Sequence, residues 1–273
     1  MPKLASWNME SKVSTQPALI SNILAFLSQQ NVELILLQEV TLASWQNLSA
    51  TARNLGYVLD HNVGQVGNNT KVTLTKNRQR WDNGQNHIQG LARAVINQTR
   101  LGFGVSGTSK ITVFDSHNKS GGGHNTQVDV RLTLANAHHY LSQFGQQGMI
   151  IGDQNIDFPL QENQNIKVIP EHKTQCSHTS IEWTAIHPEV PYTHKSCGSE
   201  RVLDFAWITK GVREHCIAEA HINRQIHDIW NIHNFWALID HQPIVYLLRE
   251  KIQTQNGLNF IQGMTSPGSF NWT

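Results

Sequence analysis

Short apolar runs alternate with amphipathic stretches along the chain, and this alternation constrains the fold more than any other feature. The runs have the length of buried strands, whereas the amphipathic stretches carry apolar side chains at helical spacing. Strands are predicted at Lys3–Trp7, Glu33–Leu37, Ala92–Ile96, Lys110–Phe114, Met149–Ile151, Val202–Ile208 and Pro243–Leu248. Helices are predicted at Thr15–Gln30, Leu42–Leu55 and Thr126–Phe144. Strands that alternate with helices in this order predict an α/β domain.

The composition is that of a globular protein. Of the 273 residues, 39% are hydrophobic, and this share excludes a disordered chain. No apolar run reaches the roughly 20 residues that a membrane-spanning helix needs. The net charge is only +1, whereas strong non-specific binders of nucleic acid are usually more basic. We expect one domain over residues 1–252, followed by a polar tail over residues 253–273.

The sequence carries no evident secretion signal. The only candidate signal peptide is Ala18–Leu27, but the polar residues Ser21 and Asn22 interrupt it. Its apolar residues recur at helical spacing, which predicts an amphipathic helix of the folded protein. The three cysteines are too few for a disulfide framework, and their odd number favours a reducing compartment. We expect a cytoplasmic protein, or one that is exported by another route.

Polar side chains stand at the ends of six predicted strands. They are Asn8, Glu39, His117, Asp153 with Asn155, Asp204, and Asp240 with His241. A single residue of this kind is more often a cap or a turn former, but six such ends indicate a site. Oxygen ligands without cysteine suit a hard cation such as Mg²⁺, and two histidines suit a base and an acid on opposite sides of a reaction centre. Together these groups predict in-line hydrolysis of a phosphate ester.

Five motifs place the chain beside a known superfamily. They are Trp7-Asn8, Gln38-Glu39, Gly152-Asp153-Gln154-Asn155, Leu203-Asp204-Phe205 and Asp240-His241-Gln242-Pro243. In these motifs, and in their order and spacing, the chain resembles the endonuclease/exonuclease/phosphatase superfamily from residue 4 to residue 248. The resemblance implies a DNase I-like four-layer αββα sandwich, in which helices flank two mixed β-sheets.

Within this superfamily the chain is most similar to the nuclease subunit of cytolethal distending toxin. This finer resemblance rests on three features: Ser6-Trp7-Asn8-Met9, His117 followed by Gly121-Gly122, and Thr193-His194-Lys195-Ser196 ahead of Leu203-Asp204-Phe205-Ala206. It implies a nuclease that cuts DNA, with other toxin subunits as partners and the nucleus of a target cell as its place of action.

The resemblance also implies a role for each polar residue. Glu39 would be the principal Mg²⁺ ligand, with Asn8 and Asp240 nearby, and Mn²⁺ or Ca²⁺ could substitute. Asp153 and Asn155 would orient the attacking water and the phosphate.

The remaining implied roles concern proton transfer and phosphate binding. His241, held by Asp204, would be the general base or a phosphate contact, and His117 would protonate the leaving 3′ oxygen. Arg100 would contact a phosphate, and Arg93 is a second candidate for that contact.

Two alternatives to DNA cleavage stay open. One is a phosphoinositide or phosphomonoester phosphatase of the same fold, which the same catalytic residues would serve. The other is a protein that binds or docks without catalysis.

Two further patterns have competing interpretations. The stretch Lys71–Arg100 holds six basic residues and one acid, and is either a DNA-binding stripe or a solvated face. Four residues could form a zinc site or could simply lie in separate loops: Cys176, His178, His194 and Cys197.

Overall fold

The computed structural model describes residues 1–12, 15–41, 45–66, 69–76, 81–84, 98–103, 109–118, 124–144, 147–158, 166–168, 181–213 and 215–249. Within these ranges the helices are α1 (Pro17–Gln29), α2 (Trp45–Asn54), α3 (His124–Phe144) and α4 (Ala220–Ile232). The strands are β1 (Lys3–Asn8), β2 (Val32–Thr41), β3 (Val58–Val66), β4 (Asn69–Thr75), β5 (Trp81–Gly84), β6 (Gln98–Phe103), β7 (Ser109–His117), β8 (Gln147–Asp153), β9 (Ile166–Val168), β10 (Ile181–Ile186), β11 (His194–Ser196), β12 (Ser199–Arg201), β13 (Asp204–Thr209), β14 (Cys216–Ala218) and β15 (Ile244–Leu248).

The strands form two large mixed sheets and one hairpin. The first sheet has the order β14-β15-β1-β2-β4-β3, and the second has the order β5-β6-β7-β8-β13-β10-β9. Strands β11 and β12 form the hairpin. Among the described helices, none combines the length and the apolar character that crossing a bilayer requires.

Both faces of the central strands are buried, and this explains why they appear in the sequence as continuous apolar runs. In β2, Leu34 and Leu36 belong to the core between the sheets, whereas Ile35 and Leu37 face the core under the helices. Successive side chains of a strand point to opposite faces, so a strand between two layers needs apolar residues at every position.

The helices cover the two outer faces. Apolar residues of α1, α2 and α4 pack on the first sheet, and those of α3 pack on the second. The four layers confirm the predicted α/β class and the pair of mixed sheets flanked by helices. Six of the seven predicted strands and all three predicted helices are present, with small shifts at their ends. The predicted strand Ala92–Ile96 and the predicted tail lie outside the described residues.

Strand direction brings the predicted site residues to one edge of the sandwich. Strands β1 and β2 are parallel, and so are β7 and β8, in which His117 pairs with Asp153. Strand β13 runs antiparallel to β8 and begins at Asp204, which is also opposite Asp153. Strand β15 runs antiparallel to β1, so the residues just before it lie near the end of β1. The carboxyl ends of four strands therefore meet the amino ends of two others.

Candidate active site

Asp153, the last residue of β8, lies at the centre of the site. Its Oδ2 atom accepts hydrogen bonds from Nδ2 of Asn8 at 3.0 Å and from Nδ2 of Asn155 at 2.9 Å. Its Oδ1 atom accepts the backbone N–H of Asn155 at 2.9 Å. Burial raises the pKa of Asp153, although the nearby imidazole of His241 acts in the opposite direction. Because Asn8 ends β1, this carboxylate joins the first sheet to the second.

Gly152 permits the close approach that positions Asp153. Its φ angle is 146°, and a Cβ atom at this position would overlap the carbonyl oxygen of Ser116 on β7. Gly152 pairs with Ser116, and the next pair in register is Asp153 with His117. A glycine is therefore required where the two strands deliver their catalytic candidates.

Two histidines flank Asp153. The Nε2 atoms of His117 and His241 each lie 3.8 Å from Oδ2 of Asp153. The Nδ1 atom of His241 lies 2.8 Å from Oδ2 of Asp204, and both side chains are buried. Burial alone would lower the pKa of His241, but the surrounding carboxylates, Asp204 foremost, raise it to about 10. His241 is therefore a cation at neutral pH in this arrangement.

Glu39 faces the same centre from a break in the pairing of β2. The register between β2 and β4 shifts between Leu37 and Val40, and Glu39 has a φ angle of 54°. Such bulges redirect side chains beside active sites. The Oε1 atom of Glu39 lies 3.1 Å from Nε2 of His117, and this contact lowers the pKa of Glu39. Glu39 is thus an anion held next to the predicted acid.

The carboxamide of Asn8 is turned toward the carboxylates. Its Nδ2 atom lies 3.0 Å from Asp153 and 3.4 Å from Oε1 of Glu39, while its Oδ1 atom accepts the backbone N–H of Glu10 at 3.0 Å. A metal ligand would have to use the oxygen, so the predicted metal role of Asn8 stays a prediction.

Asp240 has two neighbours that the sequence did not single out for the site. Its backbone N–H donates to Oε2 of Glu10 at 3.2 Å, and its Oδ2 atom lies 3.4 Å from Nε2 of His194. Burial and the Asp240 carboxylate raise the pKa of Glu10 to about 7. The contacts with His194, Glu10 and His241 lower the pKa of Asp240 despite its burial. Asp240 is the anion of this pair, and Glu10 titrates near neutrality.

Gln154 supports the site from inside the second sheet. Its Oε1 atom accepts hydrogen bonds from Nδ2 of Asn118 at 3.0 Å and from Oγ of Ser116 at 3.3 Å. Its Nε2 atom donates to the carbonyl oxygens of Gly152 and Phe205, both at 3.3 Å. One buried amide therefore links the site-bearing ends of β7, β8 and β13. The sequence had shown only that a polar residue stands beside Asp153.

A second buried cluster joins the two sheets behind Glu39 and His117. Nε2 of Gln38 donates to Oδ1 of Asp115 at 2.5 Å, and Nζ of Lys71 donates to the carbonyl oxygen of Asp115 at 2.8 Å. Burial lowers the pKa of Lys71 and raises that of Asp115. The charge of each group acts against the shift that burial causes in the other.

These contacts correct the prediction of a basic stripe at one of its six residues, Lys71. Lys71 is buried, so it belongs neither to a DNA-binding stripe nor to a solvated face. Nζ of Lys76 lies 2.6 Å from Oγ of Ser28 and 4.8 Å from the ring centre of Tyr57. Arg100 lies in β6 opposite Thr112, and the structure describes no more of it than its backbone.

Several other sequence candidates fall partly or wholly outside the described residues. Arg93 lies outside, as do two members of the predicted zinc set, Cys176 and His178. Of the other two, Cys197 is exposed in the turn between β11 and β12 and has no disulfide partner among the described residues, whereas His194 is buried and faces Asp240.

The donor set fits a divalent cation. Two overlapping groups have ligand atoms within 4.8 Å of one another: His194, Asp240 and His241, and Asp153, Asp204 and His241. Oδ1 of Asp240 and Oδ1 of Asp204 are buried, and neither has a hydrogen-bond partner among the described residues. A cation would satisfy such oxygens. Glu39 belongs to neither group, so its role as the principal ligand also stays a prediction.

Solved structures of several other proteins have the same fold. Truncated TDP2 of Caenorhabditis elegans has a TM-score of 0.59 at 12% identity, over 91% of this chain and 97% of that one. An AP endonuclease from Archaeoglobus fulgidus has a TM-score of 0.56 at 15% identity, over 91% and 99%. The 3′ phosphatase NExo from Neisseria, bound to a product DNA hairpin, has a TM-score of 0.57 at 13% identity, over 91% and 99%. At these identities the likeness shows the fold alone.

Sequence comparison gives the family. No curated protein matches the chain. The sequence profile of the Endonuclease/Exonuclease/phosphatase family matches residues 5–219, which include Glu39, His117, Asp153 and Asp204. This match covers most of the 273 residues. The chain therefore belongs to the endonuclease/exonuclease/phosphatase family.

Proposed function

We propose that this protein is a Mg²⁺-dependent phosphodiesterase that hydrolyses DNA by in-line attack of water. The observation that carries the proposal is the position of His117 and His241 beside Asp153, each 3.8 Å from the same oxygen. In-line displacement needs one group that handles the proton of the attacking water and another that protonates the leaving oxygen. His117 would supply the second group, and either Asp153 or the neutral ring of His241 would supply the first.

The carboxylates would hold the cation. Glu39 is the partly exposed anion of the site, and Asp240 offers a buried oxygen that has no hydrogen-bond partner among the described residues. Mg²⁺ bound there would supply positive charge that offsets the charge developing on the phosphate.

Asp153 and Asn155 would orient the attacking water. Burial raises the pKa of Asp153, which makes this carboxylate a stronger base than an exposed aspartate. Of the two roles implied for His241, its charged state supports the phosphate contact, because an imidazolium donates from Nε2 while Asp204 holds Nδ1. The alternative role, general base, requires the neutral ring. These two roles predict opposite effects of pH on activity.

His117 would protonate the leaving oxygen. Its Nε2 atom lies 3.1 Å from Glu39 and its side chain is partly exposed, so a substrate could reach it. Arg100 would hold a flanking phosphate. The likeness to the toxin nuclease rests on sequence motifs, and it adds to the proposal an action on DNA in the nucleus of a target cell.

The test is the nicking of supercoiled plasmid by purified protein with Mg²⁺ and with EDTA. His241→Ala is the site variant, and His221→Ala, which changes an exposed histidine of α4, is the matched control. We expect Mg²⁺-dependent nicking by wild type and by His221→Ala, and its loss in His241→Ala and in EDTA. Nicking that survives both EDTA and His241→Ala would contradict the proposal.

A phosphomonoester, including a phosphoinositide, is the second candidate substrate. The described site groups would contact the phosphate rather than the rest of a substrate, and one similar fold is a 3′ phosphatase. Phosphate release from 3′-phosphorylated DNA and from phosphoinositide vesicles, compared with nicking under the same conditions, distinguishes the two. A role in docking without catalysis predicts that Glu39→Ala changes no activity at all.

A further inference from the structure

We propose that His194, Asp240 and His241 form a binding site for a borderline transition-metal ion such as Zn²⁺, which shares Asp240 with the proposed Mg²⁺ site but adds two imidazole ligands. Occupation of this site would inhibit DNA hydrolysis, a consequence that rests on the function proposed above. His194 and His241 are 47 residues apart in sequence, so the folded backbone has to bring them together.

The backbone sets the two histidines side by side. His194 and His241 form an isolated antiparallel β-bridge. Around it, the N–H of Gln242 donates to the carbonyl oxygen of Thr193 at 3.0 Å, and the N–H of Lys195 donates to that of Asp240 at 2.9 Å. Directly opposed residues of antiparallel strands place their side chains on one face. Accordingly, the two imidazole centroids are 4.7 Å apart.

The carboxylate of Asp240 lies against both rings. Its Oδ2 atom is 3.4 Å from Nε2 of His194, and its Oδ1 atom is 3.5 Å from Nε2 of His241. A tetrahedral ion with bonds of about 2.0–2.1 Å has ligand atoms about 3.3–3.4 Å apart. Each imidazole nitrogen therefore lies at about this spacing from one oxygen of Asp240, and the ligand atoms of all three residues lie within 4.8 Å of one another.

The donor types select the metal. Imidazole nitrogens bind Zn²⁺ and similar ions, whereas Mg²⁺ prefers oxygen. Asp204 holds Nδ1 of His241 at 2.8 Å and so would leave Nε2 for the metal, as carboxylates that hydrogen-bond zinc-bound histidines do. Three protein ligands leave the fourth position open to water or to a phosphate oxygen. A metal on Nε2 of His241 would remove that atom from the substrate.

Binding is tested with Co²⁺ as a spectroscopic probe on the full chain without an affinity tag. His194→Gln removes one imidazole but keeps an N–H group that can face Asp240, and His221→Gln is the control on α4. We expect wild type and His221→Gln to bind Co²⁺ with visible absorption typical of a tetrahedral site. His194→Gln should bind Co²⁺ about tenfold or more weakly, since even the loss of a group that hydrogen-bonds a metal ligand weakens binding by about this factor. An unchanged affinity and spectrum in His194→Gln would overturn the site.

Inhibition is tested separately, as Zn²⁺ titration of plasmid nicking at fixed Mg²⁺. We expect Zn²⁺ to inhibit wild type and His221→Gln, and His194→Gln to need about tenfold more Zn²⁺. If His194→Gln loses Co²⁺ binding but Zn²⁺ does not inhibit wild type, the metal site stands and only its inhibitory role is wrong. If neither wild type nor either variant nicks DNA with Mg²⁺, the proposed function fails. The Co²⁺ titration still tests whether the metal site exists.

Discussion

The Nε2 atom of His241 lies 3.8 Å from Oδ2 of Asp153, and the other ring nitrogen is held at 2.8 Å by Asp204. The imidazole therefore stands between two carboxylates from neighbouring strands that pair residue for residue at this point. The burial of all three side chains excludes water that would weaken these interactions. This arrangement fixes the orientation of the His241 ring and raises its pKa.

Replacing His241 with alanine should lower kcat by about 10²–10⁴, the usual contribution of a positioned acid or base. The measurement is Mg²⁺-dependent nicking of plasmid, with His221→Ala as the control. A fully active His241→Ala variant that is folded by circular dichroism would remove His241 from the mechanism.

Activity should fall at alkaline pH as His241 loses its proton, if its imidazolium binds the phosphate. The pKa of about 10 belongs to the protein without a cation, and a bound cation adds positive charge that lowers it. Asp204→Asn removes the largest source of the raised pKa and should move the alkaline limb to lower pH. The pH dependence of kcat/KM measures both. An activity that instead rises as the pH passes through this pKa would identify His241 as the general base.

The same group should make stability depend on pH. Its folded pKa of about 10 exceeds the ordinary value of 6.5, so the folded state holds the proton more tightly. The stabilisation is complete below pH 6.5 and is lost as pH rises through 10. Urea unfolding of wild type and His241→Ala at several pH values should show a fall over this window that is smaller in the variant. Equal falls would show that other groups cause it.

Gly152→Ala should destabilise the protein by about 1–3 kcal/mol or more. Its φ angle of 146° is unsuited to alanine, and the new Cβ atom would meet the carbonyl oxygen of Ser116. Gly56→Ala is the matched control, because Gly56 also has a positive φ angle, 79°, but has no atom within 4 Å of a new Cβ. Urea denaturation should show the larger loss for Gly152→Ala. Equal losses of stability in the two variants would mean that the positive φ angle, and not the contact with Ser116, causes the destabilisation.

Gln154→Leu should lower the free energy of unfolding by about 1–3 kcal/mol, because it leaves the buried Nδ2 atom of Asn118 without its acceptor. Gln29→Leu, at an exposed position of α1, should change stability by less than about 0.5 kcal/mol. A neutral Gln154→Leu would mean that another group replaces the amide.

Arg100→Ala should weaken DNA binding and reduce the slope of log affinity against log salt by about 0.9, the value for one lost phosphate contact. Arg53→Ala, at an exposed position near the end of α2, is the control for a general loss of charge. An unchanged slope in Arg100→Ala would remove this residue from the phosphate contacts.

The sequence was informative where local pattern reflects burial. Strands β1, β2, β7, β8, β13 and β15 were predictable because both of their faces are buried, so they appear as apolar runs that end in polar residues. Strands β3 and β4 were not predicted, since their segment mixes polar and apolar residues. Helix α4 was also not predicted, although Ile222, Ile226 and Trp230 line its buried face.

By itself, the sequence determined the α/β class and the set of polar residues at the strand ends. Only the tertiary structure decided which of them meet, because pairing between distant segments is not encoded in local periodicity. It brought Glu10 and His194 to Asp240, and buried Lys71, which sequence alone left on a surface. The charge of His241 was decided in the same way, since the carboxylates that raise its pKa come from different parts of the chain.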